Sequence, residues 1–294
     1  MTSSVDPAYQ AASAPYATPE LPFTADGIAG MRRERDRVLV DLAGWHADKV
    51  EITRDSHGAV HRPEEPKGWT LYLHGGGWVL GSSTTHGAIM TDLAATSGTV
   101  VVGPDYPLAP ESPYPGALDM LETLVRERTS AEPGPWAVAG DSAGANLALG
   151  LALRLRDDKG PMPAALGLFY GCFRREFDTD SHRELGDGTF GLTTAKMRDY
   201  WSLYVGETDG SPYGDLSGMD ASGLPPTIIR DAALDPLRDD GAWLDALLRK
   251  ADVPVDRAVI PGVPHGFAHY TGLYTPAHQT VSEVGRFLRT TLDA

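Results

Sequence analysis

The chain has a single cysteine, Cys172, among 294 residues, which excludes an internal disulfide and fits a reducing compartment. No run approaches the ~20 consecutive apolar residues of a membrane helix, so no membrane partner is expected. Cationic side chains are scarce: 25 Lys and Arg face 40 Asp and Glu, a net charge of −15. Nucleic acids and anionic lipid surfaces both reward clustered Lys and Arg, so neither is an expected partner. The first fifteen residues lack a basic start followed by an apolar stretch and do not read as a secretory signal, which makes a cytoplasmic location the expectation. Also missing are internal repeats, low-complexity runs, the Gly-Lys-Ser/Thr ending of a P-loop and a G-x-G-x-x-G fingerprint.

What is present is a chain with 41% hydrophobic residues, long for an average domain but ordinary for one large α/β unit. Strand-like segments near 50–54, 69–73, 99–104, 136–140, 165–170, 227–232 and 256–260 alternate with helical ones near 86–97, 115–128, 143–156, 239–250 and 275–292. Several of the strands are continuously apolar, as expected of a mostly parallel sheet covered by helices on both faces. Residues 24–47 read as a helical stretch with Met31, Val38, Leu39 and Leu42 on one face.

Gly140-Asp141-Ser142-Ala143-Gly144 has the form G-x-S-x-G, between an apolar strand and a helix-compatible run. That corner holds a serine on a strained turn with its hydroxyl exposed. Taken alone, the pattern is equally well a small-residue helix start. Upstream, His74-Gly75-Gly76-Gly77 ends another apolar run. Successive glycines leave backbone N–H groups free to point at a developing oxyanion, and Gly76, Gly77 and Ala143 are the expected donors. Downstream come an acid and a histidine. Asp235 precedes Pro236, which biases it to an extended conformation, and His265 stands between Pro264 and Gly266 on a rigid turn. Ser142 as nucleophile, His265 as base and Asp235 as its orienting acid form the expected triad. Asp231 falls inside a strand, and Asp239 and Asp240 should open a helix. His74 is expected to order the glycine loop, and the other histidines to be surface or structural.

These blocks, with Asp105-Tyr106-Pro107-Leu108-Ala109-Pro110-Glu111, Leu224-Pro225-Pro226 and His265-Gly266-Phe267, span about residues 70 to 267. Together they resemble the hormone-sensitive-lipase family of α/β-hydrolases, the bacterial family IV esterases. Ala145 stands where a second glycine is usual and Pro107 where an arginine is common. The resemblance implies an α/β-hydrolase fold with a helical cap: residues 1–48 as arm and cap helices, 49–294 as the catalytic domain, and 172–222 including a second cap segment. It implies a cofactor-free, metal-free serine carboxylesterase acting on small-molecule esters with short acyl chains such as acetyl, and a homodimer. Within 192–205, Met197, Tyr200, Trp201 and Tyr204 form one stripe. With Trp78 they are the expected substrate-binding residues, although for any one residue of such a stripe core packing is the better reading. An amidase or deacetylase, or a lactonase, would use the same triad. A ligand-binding relative without catalysis is disfavoured because no triad member is missing.

Overall fold

The computed structural model describes residues 4–132, 134–206 and 212–294. Residues 1–3 of the expected arm and 207–211 of the expected second cap segment lie outside the described residues. Among the described residues, eight strands form one sheet: β1 (Val50–Arg54), β2 (Gly58–Pro63), β3 (Trp69–Leu73), β4 (Val100–Pro104), β5 (Trp136–Asp141), β6 (Leu166–Phe169), β7 (Thr227–Leu234) and β8 (Val255–Pro264). Their spatial order is β1-β2-β4-β3-β5-β6-β7-β8. β2 runs antiparallel to both its neighbours, and all pairings from β4 onward are parallel.

The apolar strands serve two cores at once, because successive side chains leave a strand on opposite faces. Trp69, Leu71 and Leu73 of β3, with Val138 of β5, enter the core beneath helices α4 (Gly116–Ala131), α5 (Ala143–Asp157) and α8 (Arg238–Lys250). Tyr72, Ala137 and Ala139 enter the other, beneath α3 (Gly87–Ser97) and α9 (Thr275–Leu292). Helix α9 turns Ala277, Val281, Val284 and Leu288 toward the sheet, a helical stripe with the three- and four-residue spacing of an amphipathic helix.

Strand β2 was not anticipated. Its signal is Asp55-Ser56-His57-Gly58, where the Asp55 carboxylate accepts hydrogen bonds from the His57 and Gly58 N–H groups and turns β1 back on itself. The expected helix over 24–47 is shorter: α2 spans Ala25–Leu39, although Met31, Val38, Leu39 and Leu42 are all buried as the spacing implied. Beyond it, the buried Asp92 carboxylate accepts from the Trp45 and His46 N–H groups, which draws this stretch out of helical geometry. A short helix α1 (Pro7–Ser13) precedes it, capped by the Asp6 side chain, and Tyr274 donates to the same carboxylate at 2.7 Å.

Between β6 and β7 lie α6 (Asp180–Leu185) and α7 (Thr194–Val205), the latter N-capped by the Thr193 hydroxyl. The arginine absent at position 107 leaves no carboxylate of that block unpaired: Asp105 meets Arg54 at 2.6 Å, and Glu111 meets Arg32 of α2 at 2.8 Å. No helix among the described residues is long and apolar enough to cross a membrane.

Candidate active site

Three parallel strands end at the same edge of the sheet, each delivering one polar side chain. β5 ends at Asp141 and hands over to Ser142; β7 ends at Leu234, before Asp235; β8 ends at Pro264, before His265. Ser142 has φ 54° and ψ −119°, a conformation that side-chain-bearing residues rarely adopt and that costs on the order of 1–3 kcal/mol. The surroundings hold it there. The Ser142 N–H donates to the Phe169 carbonyl at 2.9 Å, and the Gly144 Cα lies so close to the Leu73 carbonyl that a Cβ could not fit.

The Ser142 Oγ lies 2.9 Å from His265 Nε2, and His265 Nδ1 lies 2.7 Å from Asp235 Oδ2. Asp235 is fully buried, and its other oxygen accepts the Leu237 N–H at 2.9 Å, which fixes the carboxylate plane. The rival acids are engaged elsewhere. Asp231 pairs with Arg257 at 2.6 Å, Asp240 with Arg174 at 3.0 Å, and Asp239 accepts the Ser181 N–H at 2.8 Å.

The Gly76, Gly77 and Ala143 N–H groups donate to no acceptor among the described residues, and Gly76 and Gly77 border the same cavity as Ser142. Ala143 opens α5, so the positive end of that helix adds to the donor field. The glycine loop is tied to the serine turn through Asp141. Its Oδ1 accepts from the Gly75 N–H at 2.9 Å and from the Tyr72 hydroxyl at 2.8 Å. Burial works to raise the Asp141 pKa, but His86, Tyr72 and His269 outweigh it and hold the carboxyl well below its usual range. His74 is buried and stacked on Tyr106 with ring centroids 4.2 Å apart, and Tyr106 donates to the His74 carbonyl at 2.6 Å. Burial pushes the His74 pKa down to about 3, which keeps the ring neutral.

Ser142 opens onto a cavity of ≈ 340 Å³. Met197 and Tyr200 of α7 line it, whereas Trp78, Trp201 and Tyr204 do not. Those three pack on one another behind the wall, with Trp78 stacked flat on Tyr204 at 4.4 Å and tilted on Trp201 at 4.5 Å, all essentially buried. The structure therefore places them behind the cavity wall and not on it. A stripe at helical spacing is wide enough for one margin to face a cavity while the rest enters the core.

The cavity brings together residues that the sequence had not singled out. Tyr9, Tyr16 and Arg35 enter from the N-terminal segment, Phe190 and Leu192 from the loop before α7, and His269 from the turn after His265. His269 packs on the buried His86 ring at 4.4 Å, and the two flank Asp141. Its spacing of four residues from His265 was the available signal. A second group, His46, Asp92 and His278, has the spacing of metal ligands. Its carboxylate already accepts from the Trp45 and His46 N–H groups and from Thr271.

Comparison with known proteins gives a consistent result. Residues 70–269 match a family model described as the alpha/beta hydrolase fold. Acetyl esterases of Salmonella paratyphi B and Salmonella typhi are each 34% identical over 289 residues, covering 90% of this chain and 88% of theirs. A solved esterase from the bacterial hormone-sensitive lipase family superposes with a TM-score of 0.88 at 25% identity, covering 98% of this chain and 99% of that one. A hyperthermophilic esterase from the archaeon Pyrobaculum calidifontis gives 0.80 at 29% identity, covering 91% and 94%.

Proposed function

The chain belongs to the α/β-hydrolases, is a carboxylesterase of the hormone-sensitive-lipase-like group, and from that premise we propose that it hydrolyses short-chain, acetyl-type esters of small alcohols through Ser142, His265 and Asp235. The observation that carries this reading is the hydrogen-bonded chain Ser142–His265–Asp235 opening onto a small cavity. At ≈ 340 Å³ the cavity is at the low end for small-molecule sites, which run from about 300 to 1,000 Å³, and it must hold both halves of the ester. Acetyl esterases among the relatives point the same way.

In this mechanism the Ser142 oxygen attacks the ester carbonyl carbon while His265 Nε2 takes the hydroxyl proton. Negative charge gathers on the former carbonyl oxygen, where Gly76, Gly77 and Ala143 N–H groups receive it; one such donor is worth about 3 kcal/mol in the transition state. Asp235 holds the His265 tautomer and stabilises the imidazolium. Collapse breaks the carbon–oxygen bond to the alcohol, which leaves with the proton from His265. Water, deprotonated by the same imidazole, then attacks the acyl-enzyme and releases the acid and free Ser142.

Residues 1–48 and the segment 172–222 act as the cap in this reading, because both contribute side chains to the cavity over Ser142. A homodimer, suggested by the family resemblance alone, is part of the reading to be tested by sedimentation. A series of p-nitrophenyl esters from acetyl to decanoyl tests the chain-length claim. The expected kcat/KM is highest between acetyl and butyryl and falls beyond; a maximum at octanoyl or longer would sink it.

A further inference from the structure

Of the four arginines on helix α2, Arg32 and Arg35 lie about one turn apart and have opposite fates. Arg32 is fully engaged: Nε donates to the Val79 carbonyl at 2.8 Å, and Nη2 donates to the Ala109 carbonyl at 2.9 Å and to Glu111 at 2.8 Å. Arg35 has no ion pair, hydrogen bond or aromatic face among the described residues, and its Nε is buried without a partner. Yet it borders the cavity that holds Ser142 and the adjoining recess beneath Leu21 and Phe23. A buried N–H donor left unmade is costly, more so when charged, which makes this Nε a candidate donor to a bound acceptor.

The surroundings narrow what that acceptor is. Lys196, the other cation on this cavity, is paired with Glu20. Asp141, the buried carboxylate on the wall, is committed to Tyr72 and Gly75. Among the described residues Arg35 is thus the cavity cation that makes no ion pair, although the Asp36 carboxylate next to it in the chain feels its charge, in a protein whose net charge is −15. Its charge reaches Tyr200 on one side and His269 and Tyr270 on the other. The last two follow His265 by four and five residues and line the same cavity as Ser142; the acetyl-type acyl group proposed above carries no second polar group, so an acceptor for Arg35 falls to the alcohol half of the ester.

Resting on the carboxylesterase reading above, we propose that Arg35 is a substrate-binding residue that docks a carboxylate on the alcohol part of the ester, making acylated hydroxy acids the preferred substrate class. The guanidinium offers two parallel N–H donors that match a carboxylate, in a cavity where water screening is reduced.

The test uses 3-acetoxybenzoate and its neutral methyl ester, read as the ratio of their kcat/KM values. Replacing Arg35 by Met should lower that ratio about 10- to 100-fold, the range for losing a charge-assisted hydrogen bond, chiefly through KM for the anionic ester. Arg35→Lys should retain an intermediate ratio, since it keeps the charge and loses the fork, and it serves if the Met variant fails to fold. A ratio indifferent to both substitutions overturns the proposal. Calorimetric binding of 3-acetoxybenzoate to Ser142→Ala, with and without Arg35→Lys, separates this inference from its premise. Arg35-dependent binding without wild-type turnover keeps the docking site and removes the esterase reading. Turnover with a ratio that ignores Arg35 does the reverse.

Discussion

The Tyr200 ring of helix α7 lies directly against Gly77 of the glycine loop, so closely that a Cβ at position 77 would overlap the ring. Helix α7 and the glycine loop are therefore one packed unit. Gly77 also has φ 63°, which disfavours any side chain. Gly77→Ala should displace the loop and lower kcat by about 10²- to 10³-fold, the range for losing one oxyanion donor, with KM for acetyl esters little changed. Steady-state kinetics on p-nitrophenyl acetate decide it; a kcat within a factor of about three of wild type, far from that range, would show that the loop does not position a donor.

Asp235 is buried and meets His265 Nδ1 at 2.7 Å. Asp235→Asn keeps the shape but presents an amide, which favours the wrong imidazole tautomer. The expected fall in kcat is on the order of 10⁴, with native circular dichroism. A loss of tenfold or less would assign the orienting role to another group.

Trp201 and Met197 are neighbours on the same helical stripe with different surroundings. Trp201 packs on Trp78 in the core, whereas Met197 reaches the cavity. Trp201→Ala should cost ~3–5 kcal/mol of stability and leave the hexanoyl-to-acetyl ratio of kcat/KM unchanged. Met197→Ala should raise that ratio, since a methylene in an apolar pocket is worth ~1–3 kcal/mol. The opposite pattern, a changed ratio for Trp201 and none for Met197, would place the wrong residue on the wall.

Much of this site was legible from sequence because its residues follow strands and are punctuated by glycine and proline. Ser142, Asp235 and His265 each sit one residue past a strand, a position that local patterns reveal. The margin of the α7 stripe that faces the cavity was not legible, because 3.6-residue periodicity assigns a face and not its edges. Arg35 was not legible either: its importance lies in lacking a partner, and Arg32, three residues earlier, looks the same in sequence. His86 and His269 owe their burial to each other and to Asp141 across the fold, which no local signal encodes. Strand β2 is six residues long and mixes Ala and Val with His and Arg, so it carries no clear two-residue alternation.

Three buried histidines couple the stability of the fold to pH on the acid side. His61 donates or accepts at Thr91 Oγ1, 3.0 Å away, and burial pushes its pKa down to about 4. His74 is pushed down to about 3, and His269 well below the usual value, also by burial. The unfolded chain takes up protons at these rings near pH 6.5 while the folded chain does not, so their contribution is complete above pH 6.5 and is lost as pH falls toward 4. Each adds a slope of up to ~1.4 kcal/mol per pH unit in that window. His61→Gln, remote from Ser142, should flatten the stability–pH curve there, as measured by urea unfolding. An unchanged slope would mean that His61 is charged in the folded protein.

The central claim is that Ser142 is the nucleophile, and covalent capture tests it most directly. Incubation with diethyl p-nitrophenyl phosphate followed by peptide mass mapping should find one adduct per chain, on the peptide containing Ser142, accumulating in step with loss of esterase activity. Ser142→Ala should remain unmodified and turn over esters about 10⁶-fold more slowly. An adduct on another residue, or a Ser142→Ala variant retaining more than roughly a tenth of wild-type turnover against that expected loss, would contradict the account.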